Sequence, residues 1–445
     1  MTDLEIAERL IEAAKAHGAD AADVIVMGES SVAIGVSGGE LEEAERSEAR
    51  EAGLRALIGG RQACVSSSVL DGPALDAMAA RAVALAREAP KDPNAGLAEA
   101  AQIGGHQDPA TLDLVDGAEP LPPETLEEMA RSAEAAALAV QGVTQVEQAS
   151  VSQGRTEVTV AASNGFHGGY ARTITGLGVS AIAGEGLGRE RDFAGESRHH
   201  RGDLPSPEWI GNRAAERAVA ALNPRKAPAG AFPVLYDERI SAGLIMHLLS
   251  AVNGGSVARG ASWLIDKMGV QVLPDGLDIW EDPLIVRGSA SRPFDAEGIA
   301  ARPRPIVEGG VLQRWVLDCA TARKLGLETT GNARRGTVAP PSPGTSNVRI
   351  TQGTQSRDDL IRDMGTGLIV TSMIGSSISP TTGSYSRGAS GFWVEGGEIA
   401  YPVNEITVAG SLPEMMKTLV PANDADPNRG VSAPSILVEG LVIGA

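Results

Sequence analysis

NPRKAPAGAFPVLYDERISAGLIMHLLSAV, residues 223–252, holds the boundary on which the reading of this 445-residue chain turns. Asn223-Pro224 and Ala227-Pro228-Ala229-Gly230 interrupt any regular element, because proline locks φ and lacks a donor while glycine leaves the backbone free. Beyond them Pro233 to Tyr236 reads as a strand and Glu238 to Val252 as a helix. The element order differs on the two sides of this boundary, and that difference sets the expected fold.

Upstream, Thr2 and Glu5 have capping-box spacing, and Ile6, Leu10, Ala13 and Ala14 continue an apolar stripe that Gly18 ends. Short strands are expected at 24–27, 31–36, 53–58 and 61–67, and Asp71-Gly72-Pro73 opens a second helix. A Pro/Gly/Asp/Ala-rich connection covers 90–122. The order then restarts: a helix over 124–140, strands over 143–151, 155–162 and 170–183, and a helix from Ser206-Pro207 through Ala221. Residues 1–89 and 122–222 are therefore expected to be related halves of one α+β region spanning 1–222.

Downstream, over 230–445, strand and turn signals crowd together. Strands are expected at 284–286, 304–307, 311–316, 347–351, 368–372, 391–394, 405–408 and 435–442, with short helices near 320–325, 357–364 and 413–419. This density predicts a β-rich, barrel-like domain. The fold class expected is α+β: two helix–strands–helix halves, then the barrel-like domain.

With 38 basic and 57 acidic side chains the net charge is −19, which repels phosphate backbones and anionic lipid; no nucleic-acid partner is expected. No run of 18 apolar residues occurs, so no membrane span is expected. Cys64 and Cys319 lie far apart without ligand spacing, and the acidic, helix-like start is unlike a secretory signal. A cytoplasmic protein is the expectation.

The histidines offer little metal chemistry. A helix-borne zinc site needs a second ligand about one turn from the first and a carboxylate to activate water. His247 sits in the helix with Leu248 beside it and Ala251 and Val252 a turn on, so neither is supplied. His199-His200 are adjacent and diverge, and read as a solvated loop. Asp424, Asp426, Asn428 and Gly430 resemble a calcium loop, but Ser435 stands where a bidentate acid is needed. Gly35-Val36-Ser37-Gly38-Gly39 matches the nucleophile-elbow pattern without the strand–turn–helix context that gives the pattern meaning.

Longer stretches carry a resemblance. Pro293-Phe294-Asp295-Ala296-Glu297-Gly298, Val307-Glu308-Gly309-Gly310, Ala320-Thr321-Ala322-Arg323-Lys324-Leu325-Gly326, Thr382-Gly383-Ser384-Tyr385-Ser386-Arg387-Gly388-Ala389-Ser390-Gly391 and Tyr401-Pro402-Val403-Asn404-Glu405 are similar to the TldD/PmbA family of zinc peptidases, in its PmbA (TldE) branch. Gly39-Glu40-Leu41, Gly53-Leu54-Arg55 and Ser163-Asn164-Gly165-Phe166 extend the likeness through most of the chain. The catalytic branch carries H-E-x-x-x-H on the corresponding helix and a late cysteine ligand. Aligned to that motif, His247 matches the first histidine, Leu248 stands at the glutamate and Val252 at the second histidine, and 426–445 has no cysteine.

The resemblance thus implies no catalytic residue and no metal in this chain, with zinc in a TldD-like catalytic partner and unfolded or modified peptide as the substrate. Gly375-Ser376-Ser377 through Gly391 is a glycine-rich candidate surface for a partner or an extended peptide; Ser376, Ser377, Gly383, Tyr385, Arg387 and Gly388 are its candidate residues. A homo-oligomer stays open. The competing readings are a peptide-binding scaffold without turnover and an autonomous hydrolase using Ser37 or His247.

Overall fold

The computed structural model describes residues 1–444, the side chain of Ser376 excepted. The capping box at Thr2 and Glu5 forms, and α1 (Asp3–Ala16) buries Ile6, Leu10 and Ala14. It is followed by β1 (Ala21–Ser37), β2 (Glu40–Ile58), β3 (Arg61–Ser67) and α2 (Gly72–Glu88). The order repeats as α3 (Pro123–Leu138), β4 (Val143–Ala162), β5 (His167–Ala183), β6 (Glu190–Arg198) and α4 (Pro207–Ala220).

The two sets of strands merge into one six-stranded sheet, ordered β3-β2-β1-β4-β5-β6. Its seam is an antiparallel pairing of β1 with β4 that runs from Asp23 opposite Ala162 to Val36 opposite Ala149. Side chains alternate across a strand, so even-numbered residues of β1 share one face. Ala22, Val24 and Val26 meet α1 and α2, while Ile34 and Val36 meet α3 and α4. All four helices therefore cover one face of the sheet, and odd-numbered Asp23, Ile25 and Met27 look the other way.

The strands are longer than the pattern of residues suggested. Segments 24–27 and 31–36 are one strand, and so are 143–151 and 155–162. Glu-rich 40–52, which shows no apolar alternation, lies within β2. Its side chains from Glu40 to Arg50 are exposed, and the strand exists there because its backbone pairs with β1, from Ser37 opposite Glu40 to Gly28 opposite Arg50. A main-chain ladder needs no side-chain burial of its own when a neighbour supplies the partner.

After the boundary come β7 (Gly230–Tyr236) and α5 (Glu238–Ala251), then β8 (Gly367–Ile378), β9 (Ser384–Glu395), β10 (Glu398–Ser411) and β11 (Ile436–Gly444). These strands run β10-β9-β8-β7-β11, and β10 also pairs with β11, so the sheet closes into a barrel-like structure. Val234, Val370, Trp393, Val408 and Val438 join Leu244, Ile245, Leu248 and Leu249 of α5 in one core. A five-stranded sheet built from 279–281, 304–308, 311–312, 348–350 and 431–432 shares that core. The strand expected at 284–286 is instead turn; the neighbouring strand is Ile279–Glu281. The three short helices form at Cys319–Leu325, Arg357–Met364 and Leu412–Lys417.

The connection over 90–122 lies against both regions. Leu112 and Leu114 are buried, the Arg287 N–H donates to Leu112 O at 2.8 Å, and the Thr173 N–H donates to Leu114 O at 2.9 Å.

Candidate functional site

Helix α5 starts where the Asp237 carboxylate caps it and pairs with Arg357 at 3.1 Å. Its neighbour Arg239 reaches Asp192 of β6 at 2.9 Å through both carboxylate oxygens, which ties the helix to the N-terminal sheet. One face of α5 holds half-buried His247, edge-on to Tyr385 at 5.8 Å between ring centres. Tyr385 is buried; its hydroxyl donates to Met373 Sδ at 3.2 Å and accepts from the Tyr236 hydroxyl at 3.4 Å. Burial first, and then the like charge of Arg387, pull the imidazolium of His247 below its ordinary pKa.

Leu248 and Val252 are both 0% exposed and belong to the apolar core. Successive helix residues are turned about 100° from each other. The pair at 248 and 252 therefore points into the barrel core while His247 faces Tyr385. Among the described residues no group of three or more His, Cys, Asp and Glu side chains could hold a metal ion. The donors present at this helix, one imidazole flanked by hydrocarbon, do not fit the zinc that the metallopeptidase motif requires.

Beside this helix lie the residues of the glycine-rich surface. Ser377, next to the end of β8, lies opposite Ser386; Tyr385, Arg387 and Gly388 lie on β9. Arg387 Nε donates to Gly375 O at 2.8 Å, across a register shift between Ile374 and Ser377. Gly383 is buried in the connecting loop, at φ +74° with Pro413 and Trp263 around it. Ser377 is exposed, Arg387 and Gly388 half-buried. The side chain of Ser376 lies outside the described residues. Parallel pairing of β8 with β7 covers only Leu368 to Val370, so the edge of β8 from Ser372 onward has no strand on that side among the described residues. Ile374 on that stretch is 76% exposed.

The remaining motifs resolve into local structure. Ser37 ends β1 at a hairpin through Gly38-Gly39 and donates weakly to Val146 O at 3.4 Å; no helix follows. Asp424 accepts from the backbone and hydroxyl of Ser435, both at 2.7 Å, which is turn chemistry. His199, read as part of a solvated loop, is buried: its ring nitrogens meet Thr173 O at 2.6 Å and Gly288 O at 3.2 Å. A strand end packed against the C-terminal region removes the solvent that the polar sequence around it suggested.

A polar cluster that residue patterns did not announce lies between the helix-free face of the sheet and the C-terminal region. Asp23 accepts from Arg55 Nε at 2.9 Å and from Arg335, and all three side chains are buried. Asp295 accepts from the backbone N–H groups of Glu297, Ile299 and Ala333 at 2.9–3.0 Å. Glu297 accepts from the Cys319 N–H at 2.8 Å. Burial, reinforced by the charge of Asp295, pushes the Glu297 carboxyl up to about 8, and burial with the charge of Glu297 raises the Cys319 thiol. The available signal was Pro293-Phe294-Asp295-Ala296-Glu297-Gly298, two acids in an apolar frame, but the Asp23, Arg55 and Arg335 trio of the same cluster is spread over remote parts of the sequence.

A helix–sheet region joined to a closed barrel, with hydrocarbon beside His247 on α5 and no evident metal site among the described residues, is the architecture of a metallopeptidase-type subunit. The chain belongs to the PmbA/TldD family. Models described as PmbA/TldA metallopeptidase domain 1, central domain and C-terminal domain match residues 22–86, 116–222 and 229–445. The chain is 36% identical to Metalloprotease PmbA of Escherichia coli O157:H7, over 95% of this chain and 92% of that protein. It is 34% identical to the Metalloprotease PmbA homolog of Haemophilus influenzae, over 97% and 94%. A crystal structure from Bacteroides thetaiotaomicron superposes with a TM-score of 0.91 at 27% identity, covering 99% of this chain and 98% of that one. TldE from Thermococcus kodakarensis shares the fold, with a TM-score of 0.83 at 20% identity, over 99% and 100%.

Proposed function

We propose that this chain is the non-catalytic TldE/PmbA-type subunit of a cytosolic metallopeptidase complex. A TldD-like partner supplies the zinc and the general base, and the complex acts on unfolded or modified peptides. The observation that carries this reading is the placement of Leu248 and Val252 in the apolar core, at the two positions that would complete the metal motif. With that motif gone, the chain contributes a wall and a docking edge.

The free edge of β8 beyond Val370, with Ser377, Arg387 and Gly388 beside it, is the surface offered to an extended peptide or to the partner. An unpaired strand edge presents N–H and C=O groups to any extended chain, and glycine lets that chain approach closely. Residues 1–222 and 230–445 act as two structural units in this reading, the first built from halves 1–89 and 122–222.

The test is co-purification with a TldD-like chain, with zinc content and peptide cleavage measured before and after separation. The proposal expects cleavage and stoichiometric zinc only in the pair. Stoichiometric zinc and cleavage in the isolated chain would overturn it. Peptide binding with no turnover in any pairing would favour the scaffold reading.

A further inference from the structure

Between the helix-free face of the N-terminal sheet and the C-terminal region lies a cavity of about 330 Å³, near the lower end of the range for small-molecule sites. One side is apolar: Ile25, Val158 and Val160 from the sheet face Phe294, whose ring meets Tyr170 edge-on at 5.6 Å. The other side is cationic, with Arg172, Arg292 and Arg334 in the lining.

The charges there do not balance. None of these three arginines forms an ion pair with a carboxylate among the described residues; the pairs formed by the fourth lining arginine, Arg335, use Asp23. Arg292 is only 7% exposed, and its terminal nitrogens donate to the backbone carbonyls of Ala333 at 2.9 Å and Gly344 at 3.2 Å. Its Nε, like that of Arg335, is buried without a partner. The guanidinium of Arg172 lies over the Tyr170 ring at 5.3 Å. Asp295 is the one acid in the lining, and three backbone N–H groups already occupy it. Arg334 keeps an exposed surface; desolvation of its inner part and then the like charge of Arg292 pull its guanidinium below its ordinary pKa, with Glu281 opposing them.

A buried guanidinium without a carboxylate in contact is costly, and its fork geometry matches a carboxylate. We propose that this cavity is a binding site for a small organic carboxylate with an apolar or aromatic body, its head on the arginines and its body between Val158, Val160 and Phe294. The site is separate from the edge of β8 and does not depend on any peptidase partner.

Calorimetric titration of the full chain tests this with four probes: 3-phenylpropionate, N-acetylphenylalanine as a mimic of a peptide C-terminus, the neutral 3-phenylpropionamide, and inorganic phosphate. At least one of the two carboxylates is expected to bind at millimolar concentration or below, and the amide about tenfold or more weaker. Which carboxylate binds tells a free acid from a peptide end. Arg172→Ala and Arg334→Ala, each checked for an unchanged far-UV spectrum, are expected to weaken that binding about tenfold or more. These two avoid Arg292, whose contacts with Ala333 and Gly344 also hold the fold. No binding of either carboxylate, equal binding of the amide, binding of phosphate alone, or unchanged affinity in both variants would each overturn the proposal.

Discussion

Arg335 reaches from the C-terminal region to the first strand of the sheet and shares the carboxylate of Asp23 with Arg55. Two cations on one buried acid make an asymmetric arrangement. Removing the acid strands both guanidinium groups, whereas removing Arg335 leaves the Asp23–Arg55 pair intact. Breaking a buried ion pair costs about 3–5 kcal/mol. Asp23→Ala is expected to lose stability at that scale and Arg335→Ala distinctly less, measured by denaturant unfolding. Equal losses would show that the Asp23–Arg335 pair alone, and not the acid's double role, holds the junction.

The same junction depends on a missing side chain. A Cβ on Gly53 would overlap the main chain of Thr337, whose hydroxyl donates to Glu51. Backbone cannot move aside as a flexible side chain can, so Gly53→Ala is expected to cost about 1–3 kcal/mol. Gly28 offers the control: a Cβ there meets Glu157 Cβ at 3.8 Å, an ordinary contact. Gly28→Ala is expected to change stability by less than about 0.5 kcal/mol. Thermal melts of the two variants side by side check the contrast.

Glu297 sets a pH dependence whose sign follows from its raised pKa. Folded, its carboxyl holds a proton up to about 8; unfolded, it releases it near 4.5. The folded state is the better proton binder between those values, so this contribution is full below the lower one, declines across the interval, and is lost above the upper one. Glu297→Gln keeps an oxygen for the Cys319 N–H and abolishes the titration. The variant is expected to gain stability relative to the parent as pH rises from about 5 to 9, seen in unfolding midpoints. A constant difference across that range would assign Glu297 an ordinary pKa.

Building the metal motif into α5 is expected to fail. Leu248→Glu with Val252→His puts a carboxylate and an imidazole into the barrel core, where both positions are sealed. Even Leu248→Ala is expected to cost about 2–5 kcal/mol. The double variant should unfold at lower denaturant concentration and bind no stoichiometric zinc by elemental analysis. Tight zinc in a folded double variant would mean that the helix can turn these positions toward His247.

Periodicity and breakers carried much of the architecture. The capping signals at Thr2 and Ser206, the breakers at 223–230 and the apolar stripes are local, so the halves, the barrel-like region and even the short helices at 319–325 and 357–364 could be read along the chain. That Leu248 and Val252 carry hydrocarbon, which no ion can use, was legible too. The stretch 40–52 was not, because its exposed glutamates carry no burial pattern and only pairing with β1 makes it a strand.

By itself, then, the order of residues determined which elements form and which side chains α5 can offer, because both follow from neighbours along the chain. Tertiary structure alone decided that two half-sheets share one seam, that His199 is buried, and that Asp23 and Arg335 meet across a junction beside an arginine-lined cavity. Those features depend on groups hundreds of residues apart being taken out of water together. Charge pairing and desolvation exist only once the fold has brought them within reach.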